Sequence, residues 1–124
     1  MPRFYPGLIV WASIKDGFGR TKQRPAVILA LFDEADRDSE LLVVPITKPP
    51  QQPCPPYHVQ VHDSTVEDPS TGLYYPCWAK CNWAGWLEQS RVKGRCGNMP
   101  DDLFEKILDA YESIYNDDRF TDWQ

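Results

Sequence analysis

The stretch KDGFGRTKQRPAVILALF (15–32) changes character in the middle: Lys15, Arg20, Lys22 and Arg24 precede a run that is almost wholly apolar. Arg24 is the last residue before that run, so a strand there would orient a planar, permanently charged fork. Thr47 ends a second apolar run, LLVVPIT (41–47), and Lys48 follows it. If the two runs are neighbouring strands, a guanidinium and a hydroxyl are presented together at the rim of a sheet. That pair suits a phosphate, with cationic charge for a developing anion and a hydroxyl for a hydrogen bond. The plainer alternative has Arg24 pairing with a surface acid and Thr47 merely ending a strand.

Other chemistries find little footing. The chain carries no G-x-S-x-G, H-E-x-x-H, Walker glycine loop or dinucleotide fingerprint. His58 and His62 fall two register steps apart on YHVQVHD, with no third metal ligand in the neighbouring sequence beyond Asp63. Of the cysteines, Cys54, Cys77, Cys81 and Cys96, only Cys77 and Cys81 are close in sequence. On one strand their sulfurs would lie about 13 Å apart, too far for one metal. Free, buried or half-buried thiols are therefore expected rather than a zinc knuckle. With no export signal in the N-terminal stretch, disulfides are not expected either.

The chain is acidic, with a net charge of −5, but its charges are segregated. Residues 1–31 hold Arg3, Lys15, Arg20, Lys22 and Arg24 against Asp16 alone. Residues 80–95 hold Lys80, Arg91, Lys93 and Arg95 against Glu88 alone. Acid gathers in DEADRDSE (33–40) and from Asp101 onward. A local positive site on an acidic body is compatible with this pattern; so is a set of solvated charges around a hairpin. The length of 124 residues fits a single domain. No apolar run approaches the roughly 20 residues of a membrane span, and a cytoplasmic protein is expected.

The positioning elements follow from pattern. GLIVWASI (7–14) reads as a strand, KDGFGRTKQ as a glycine-containing loop, and RPAVILALF as a second strand led by its proline. LLVVPIT is a third strand, and the proline-rich KPPQQPCPP is a stiff extended connection. YHVQVHD alternates, with Val59 and Val61 on one face and His58, Gln60 and His62 on the other. From Leu73 to Val92 the chain is aromatic and β-rich, with Gly85 expected at a turn between two strands. Trp78, Trp83, Trp86, Tyr74 and Tyr75 fit either a barrel core and subunit interface or stacking surfaces for nucleic acid, core and interface being the preferred assignment for most. NMPDDLFEKILDAYESIY predicts an amphipathic helix capped by Asn98 or Met99, with Pro100, Asp101 and Asp102 in its first turn. Phe120 and Trp123 could dock the tail. Short strands and one final helix predict a small, strongly bent antiparallel sheet or barrel.

The order PGLIVWASI, KQRPAVILA, LLVVPITK, YHVQV and CGNMPDDLFEKILDAYESI resembles the MazF/PemK toxins of bacterial toxin–antitoxin pairs. The resemblance runs from about Pro6 to Ile114, and Gly97 shortly before the helix belongs to it. It implies an SH3-like barrel with a C-terminal helix spanning about residues 6–115, residues 116–124 forming a tail. It also implies a homodimer, an antitoxin partner, and cleavage of single-stranded RNA by 2′-OH attack without metal or other cofactor. Arg24 and Thr47 match the family's active-site positions. Arg24 would stabilise the phosphorane-like state and serve as proton donor, and Thr47 would orient the phosphate. Lys15, Arg20, Lys22, Lys48, Lys80 and His58 are the expected RNA contacts. Where relatives carry a segment like DQIRTVD, this chain has CWAKCNW, with Lys80 in place of the arginine and no acid close by. A non-catalytic RNA- or protein-binding module on the same barrel therefore stands as the alternative, and a thiol or metal site at Cys77, Cys81 and Cys96 as a third.

Overall fold

A computed structural model describes residues 4–15, 20–33, 39–47, 58–62, 71–73 and 77–115, with the backbone alone at Lys15, His62 and Tyr115. Seven strands precede one helix: β1 (Leu8–Lys15), β2 (Thr21–Leu31), β3 (Leu41–Thr47), β4 (His58–His62), β5 (Cys77–Lys80), β6 (Gly85–Leu87), β7 (Val92–Asn98) and α1 (Asp101–Tyr115). The sheet runs β4-β5-β3-β2-β1-β7, with β6 paired to β3 off this line, and every pairing is antiparallel. A mainly β fold with a C-terminal helix is thus what the chain adopts.

Two prolines set where the ladders stop. Pro25 pairs with Trp11 of β1, but pairing of β2 with β3 begins only at Ala26. Its missing N–H therefore falls on a side with no partner strand. Pro45 pairs with Ala26, and on its other side β3 has left β6 at Val43 and has not yet met β5 at Ile46. Beyond Pro45, β3 exchanges β2 for β5 as its neighbour. β2 itself starts at Thr21, three residues before the position the apolar pattern predicts, because Thr21–Arg24 pair with Ala12–Lys15 although they contribute little to a core.

Period-2 alternation sends successive side chains to two faces and builds two cores. Ile9, Val27, Leu29, Leu42, Val44, Ile46, Val61, Cys77 and Ala79 pack on one face against Ile107 and Ile114 of α1. Leu8, Val10, Ala12, Ile14, Ala26, Ile28, Leu41, Val43 and Leu87 pack on the other with Phe4. The helix supplies Leu103, Phe104, Ile107, Leu108, Ala110, Tyr111 and Ile114 to the first core and leaves Asp101, Asp102, Glu105, Asp109 and Glu112 exposed.

Three sequence expectations need correction. The turn predicted at Gly85 falls earlier, as a 3₁₀ turn over Cys81–Trp83, and Gly85 opens β6 opposite Val43. Residues 92–98 form β7, an edge strand on β1; VKGRCGN gave no strand signal because Lys93, Gly94 and Arg95 are exposed, without a buried alternate row. The helix begins later than either expected cap, Asn98 or Met99, would place it: the Phe104 N–H donates to the Pro100 carbonyl at 2.8 Å, so Pro100 takes the cap position. The proline-rich connection and the tail with Phe120 and Trp123 lie outside the described residues.

Gly72 joins the segment before β5 to β7. Its φ of +71° is in the left-handed region, and a Cβ there would collide with the backbone oxygen of Cys96. Gly94, by contrast, meets nothing within 4 Å of a Cβ. Gly72→Ala is expected to cost about 2 kcal/mol or more in urea denaturation, and Gly94→Ala about 0.5 kcal/mol or less. Equal midpoints for the two variants would contradict this close approach.

Candidate active site

Arg24 stands two residues before the first β2–β3 pair, Ala26 with Pro45. Carrying that register past the end of the ladder brings Arg24 level with Thr47, the last residue of β3. Thr47 pairs instead with Trp78 of β5, and Ile46 with Ala79. The row continues outward, with Trp78 opposite Gln60 of β4 and Lys80 opposite His58.

Alternation decides which way these side chains face. Ile46, Ala79 and Val61 belong to the helix-side core, against which Val59 also packs. Thr47, Trp78, Lys80, His58 and Gln60, each one residue out of step, take the other face. Arg24 shares that face, being in step with Ala26 and Ile28 of the second core. On β2 the contribution to this second core ends at Ala26 and polar side chains follow, while Ala12 and Ile14 of β1 continue the core opposite Arg24 and Lys22. Lys22 and Arg20 continue in step with Arg24 and are exposed.

The electrostatics are those of an anion site. The Arg24 Nε is buried and has no hydrogen-bond partner among the described residues. Burial, and then the neighbouring Arg24 charge, lower the pKa of Lys80, and no described carboxylate counters them. The Lys80 Nζ sits 3.5 Å from the centroid of the Trp83 ring, which holds the ammonium in place. Burial lowers the His58 pKa most and the Lys80 charge lowers it further, while the Asn82 side chain opposes them. The imidazole is therefore biased toward its neutral, proton-accepting form. Guanidinium, ammonium, hydroxyl and neutral imidazole share one face of the sheet, a set whose chemistry suits a phosphate, although the two ring nitrogens of His58 are themselves buried.

Of the expected site residues, the structure brings Arg24, Thr47, Lys80 and His58 together. Arg20 and Lys22 lie on the approach along β2, Lys15 pairs by its backbone with Thr21, and Lys48 lies outside the described residues. Asn82, Trp83, Trp78 and Gln60 were not among them. The aromatic density of 74–86 was a signal, and of the core and subunit interface expected for most of these aromatics, the core does not hold Trp78, Trp83 or Trp86. Trp78 and Trp83 belong to neither core, and Trp86 is 40% exposed with its ring edge-on to Phe32 at 5.4 Å. Cys77 and Cys81 are buried free thiols and Cys96 a half-buried one. Burial pushes Cys77 and Cys81 up to about 12, so neither offers a ready thiolate. Among the described residues no three metal-binding side chains gather, and no described helix is long and apolar enough to cross a membrane.

The His58–Lys80 coupling has a direct readout. In an NMR titration the His58 ring is expected to protonate below 6.5, its ordinary value, and to move up toward it in Lys80→Met. Because the folded-state value is lowered, the unfolded chain takes the proton first. The stability linked to His58 is present above 6.5 and is lost as pH falls below it. A ring that titrates at the same pH in both proteins would remove Lys80 from its surroundings.

Comparison with known proteins agrees with this architecture. Residues 5–115 match the family model of the PemK-like, MazF-like toxin of type II toxin–antitoxin systems. The Mycobacterium tuberculosis toxin MazF-mt6 superposes with a TM-score of 0.65 at 20% identity, over 90% of this chain and 98% of that one. An endoribonuclease in complex with its cognate antitoxin from a mycobacterial species gives 0.68 at 12% identity, over 91% and 95%. A MazE–MazF structure from Deinococcus radiodurans gives 0.62 at 17% identity, over 89% and 92%. At these identities the superpositions speak for the fold. No curated protein sequence matches the chain. With the family model covering both cores, the Arg24–Thr47 face and the terminal helix, the chain belongs to the PemK-like, MazF-like toxins of type II toxin–antitoxin systems.

Proposed function

We propose that the chain is a toxin-type endoribonuclease that cuts single-stranded RNA through attack of the 2′-OH on the adjacent phosphodiester, and that a cognate antitoxin restrains it. The observation that carries this reading is the buried, unpartnered Arg24 Nε beside Lys80, with no described carboxylate to neutralise the pair. Two half-buried cations held together on one face call for an anion. The family membership, and a structural neighbour described as an endoribonuclease in complex with its cognate antitoxin, support the choice of RNA and of partner. A homodimer accords with the family.

In the proposed reaction the 2′-OH proton passes to neutral His58 as the O2′–P bond forms, the incoming strand first uncovering the ring nitrogens, which are buried in the RNA-free protein. Arg24 stabilises the charge that accumulates on the non-bridging oxygens, and the Thr47 hydroxyl donates to one of them. The P–O5′ bond then breaks. The departing oxygen takes a proton from Lys80, whose lowered pKa makes it a better acid than a free lysine. The products are a 2′,3′-cyclic phosphate and a 5′-OH end.

Incubation with mixed-sequence RNA in chelator, followed by mapping of the new ends, tests this. Arg24→Ala is expected to slow cleavage about 10²- to 10³-fold and Thr47→Ala about tenfold. The acid limb of kcat/KM should lie below 6.5, following His58. RNA that is held by the wild-type protein but left uncut would favour the binding module instead.

A further inference from the structure

Trp78 is half-buried. It joins neither core and, among the described residues, takes part in no ring–ring or cation–π contact. A half-buried tryptophan is a large apolar surface to leave in that condition. Its place is specific: it pairs on one side with Thr47 and on the other with Gln60, which is exposed. All three share the face that Arg24 and Lys80 occupy. A flat aromatic ring thus lies one strand from the phosphate-binding hydroxyl, about 5 Å across the ladder, and a primary amide lies one strand beyond it. Successive phosphates of an extended single strand lie about 6–7 Å apart, with a base between them. A phosphate anchored at Arg24 and Thr47 therefore delivers its neighbouring base to Trp78.

We infer that Trp78 and Gln60 form a nucleobase subsite, in which Trp78 stacks the base next to the scissile phosphate and Gln60 reads its edge. The inference rests on reading this face as an RNA site. Stacking supplies affinity without choosing a base, since every base has a π-face. The amide supplies the choice. It offers one donor and one acceptor side by side, a pattern that adenine answers bidentately. Trp83 cannot take the same role on the face that Lys80 covers. The subsite would make one position of the substrate selective for adenine.

A pool of short, fully 2′-fluoro single-stranded RNA, randomised in sequence, separates recognition from cleavage because it lacks the attacking hydroxyl. The retained fraction is sequenced for wild type, Gln60→Ala, Trp78→Ala and Trp78→Phe, each checked by its melting curve. Wild type is expected to enrich adenine at one position. Gln60→Ala should abolish that enrichment while total retention stays within about twofold. Trp78→Ala should weaken retention about tenfold, and Trp78→Phe, which keeps a smaller ring, by less. Enrichment that survives Gln60→Ala, retention unchanged in Trp78→Ala, or a wild-type protein that retains no RNA or selects no adenine would each overturn the subsite. Wild-type protein that binds the pool but leaves ordinary RNA intact sinks the nuclease reading alone, and the pool still decides the subsite.

Discussion

A guanidinium and an ammonium placed side by side, partly out of water, repel each other, and the fold has to hold them there. Burial lowers the Lys80 pKa most, and the Arg24 charge lowers it further. Two features make the repulsion tolerable. The Trp83 ring offers the ammonium a favourable partner that is not an acid, and β2 binds Arg24 into the β1 ladder opposite Ala12. An acid in the same place would relax the pair and also fill the site. Its absence among the described neighbours of Lys80 is what keeps the face receptive to an anion.

The prolines make room for this arrangement. If β2 and β3 stayed paired through Arg24 and Thr47, those residues would be ordinary members of a closed ladder. Because Pro25 and Pro45 sit where one ladder lapses, β3 passes from β2 to β5 just as the apolar part of β2 ends. The exchange gathers side chains from β2, β3, β4 and β5 on one face. Each comes from a strand whose alternate residues are locked in a core, so the site rests on rigid backbone rather than on loops.

This explains what a sequence alone could disclose. The apolar runs of β1, β2 and β3 and the helical spacing from Leu103 to Ile114 are dense local signals, and they located the elements that carry Arg24 and Thr47. The alternation in β4 placed His58 and Gln60 on a polar face before any partner strand was known. What lay beyond reach depended on pairing between distant segments. Lys80 gains its meaning from His58 across one ladder and from Arg24 across two more, and no local pattern encodes that. Trp78 and Trp83 looked like core residues because tryptophan is apolar, whereas strand register turns Trp78 away from the core. β7 was invisible for the opposite reason: an exposed edge strand with two glycines and the exposed Lys93 and Arg95 carries no hydrophobic period.

The same two-faced architecture reconciles an acidic chain with a cationic site on one face. The acids of α1, Asp101, Asp102, Glu105, Asp109 and Glu112, project from a helix packed on one side of the sheet. Arg24, Lys80, Lys22 and Arg20 belong to strands that present them on the other. A helix layer and a sheet layer are separated by roughly 10 Å, already more than the Debye length of about 8 Å at physiological salt. The acids on the far side are therefore largely screened from an approaching phosphate, while the cations are met at contact. A net charge of −5 is a property of the whole chain; the field at the site is set by which face each charge was folded onto.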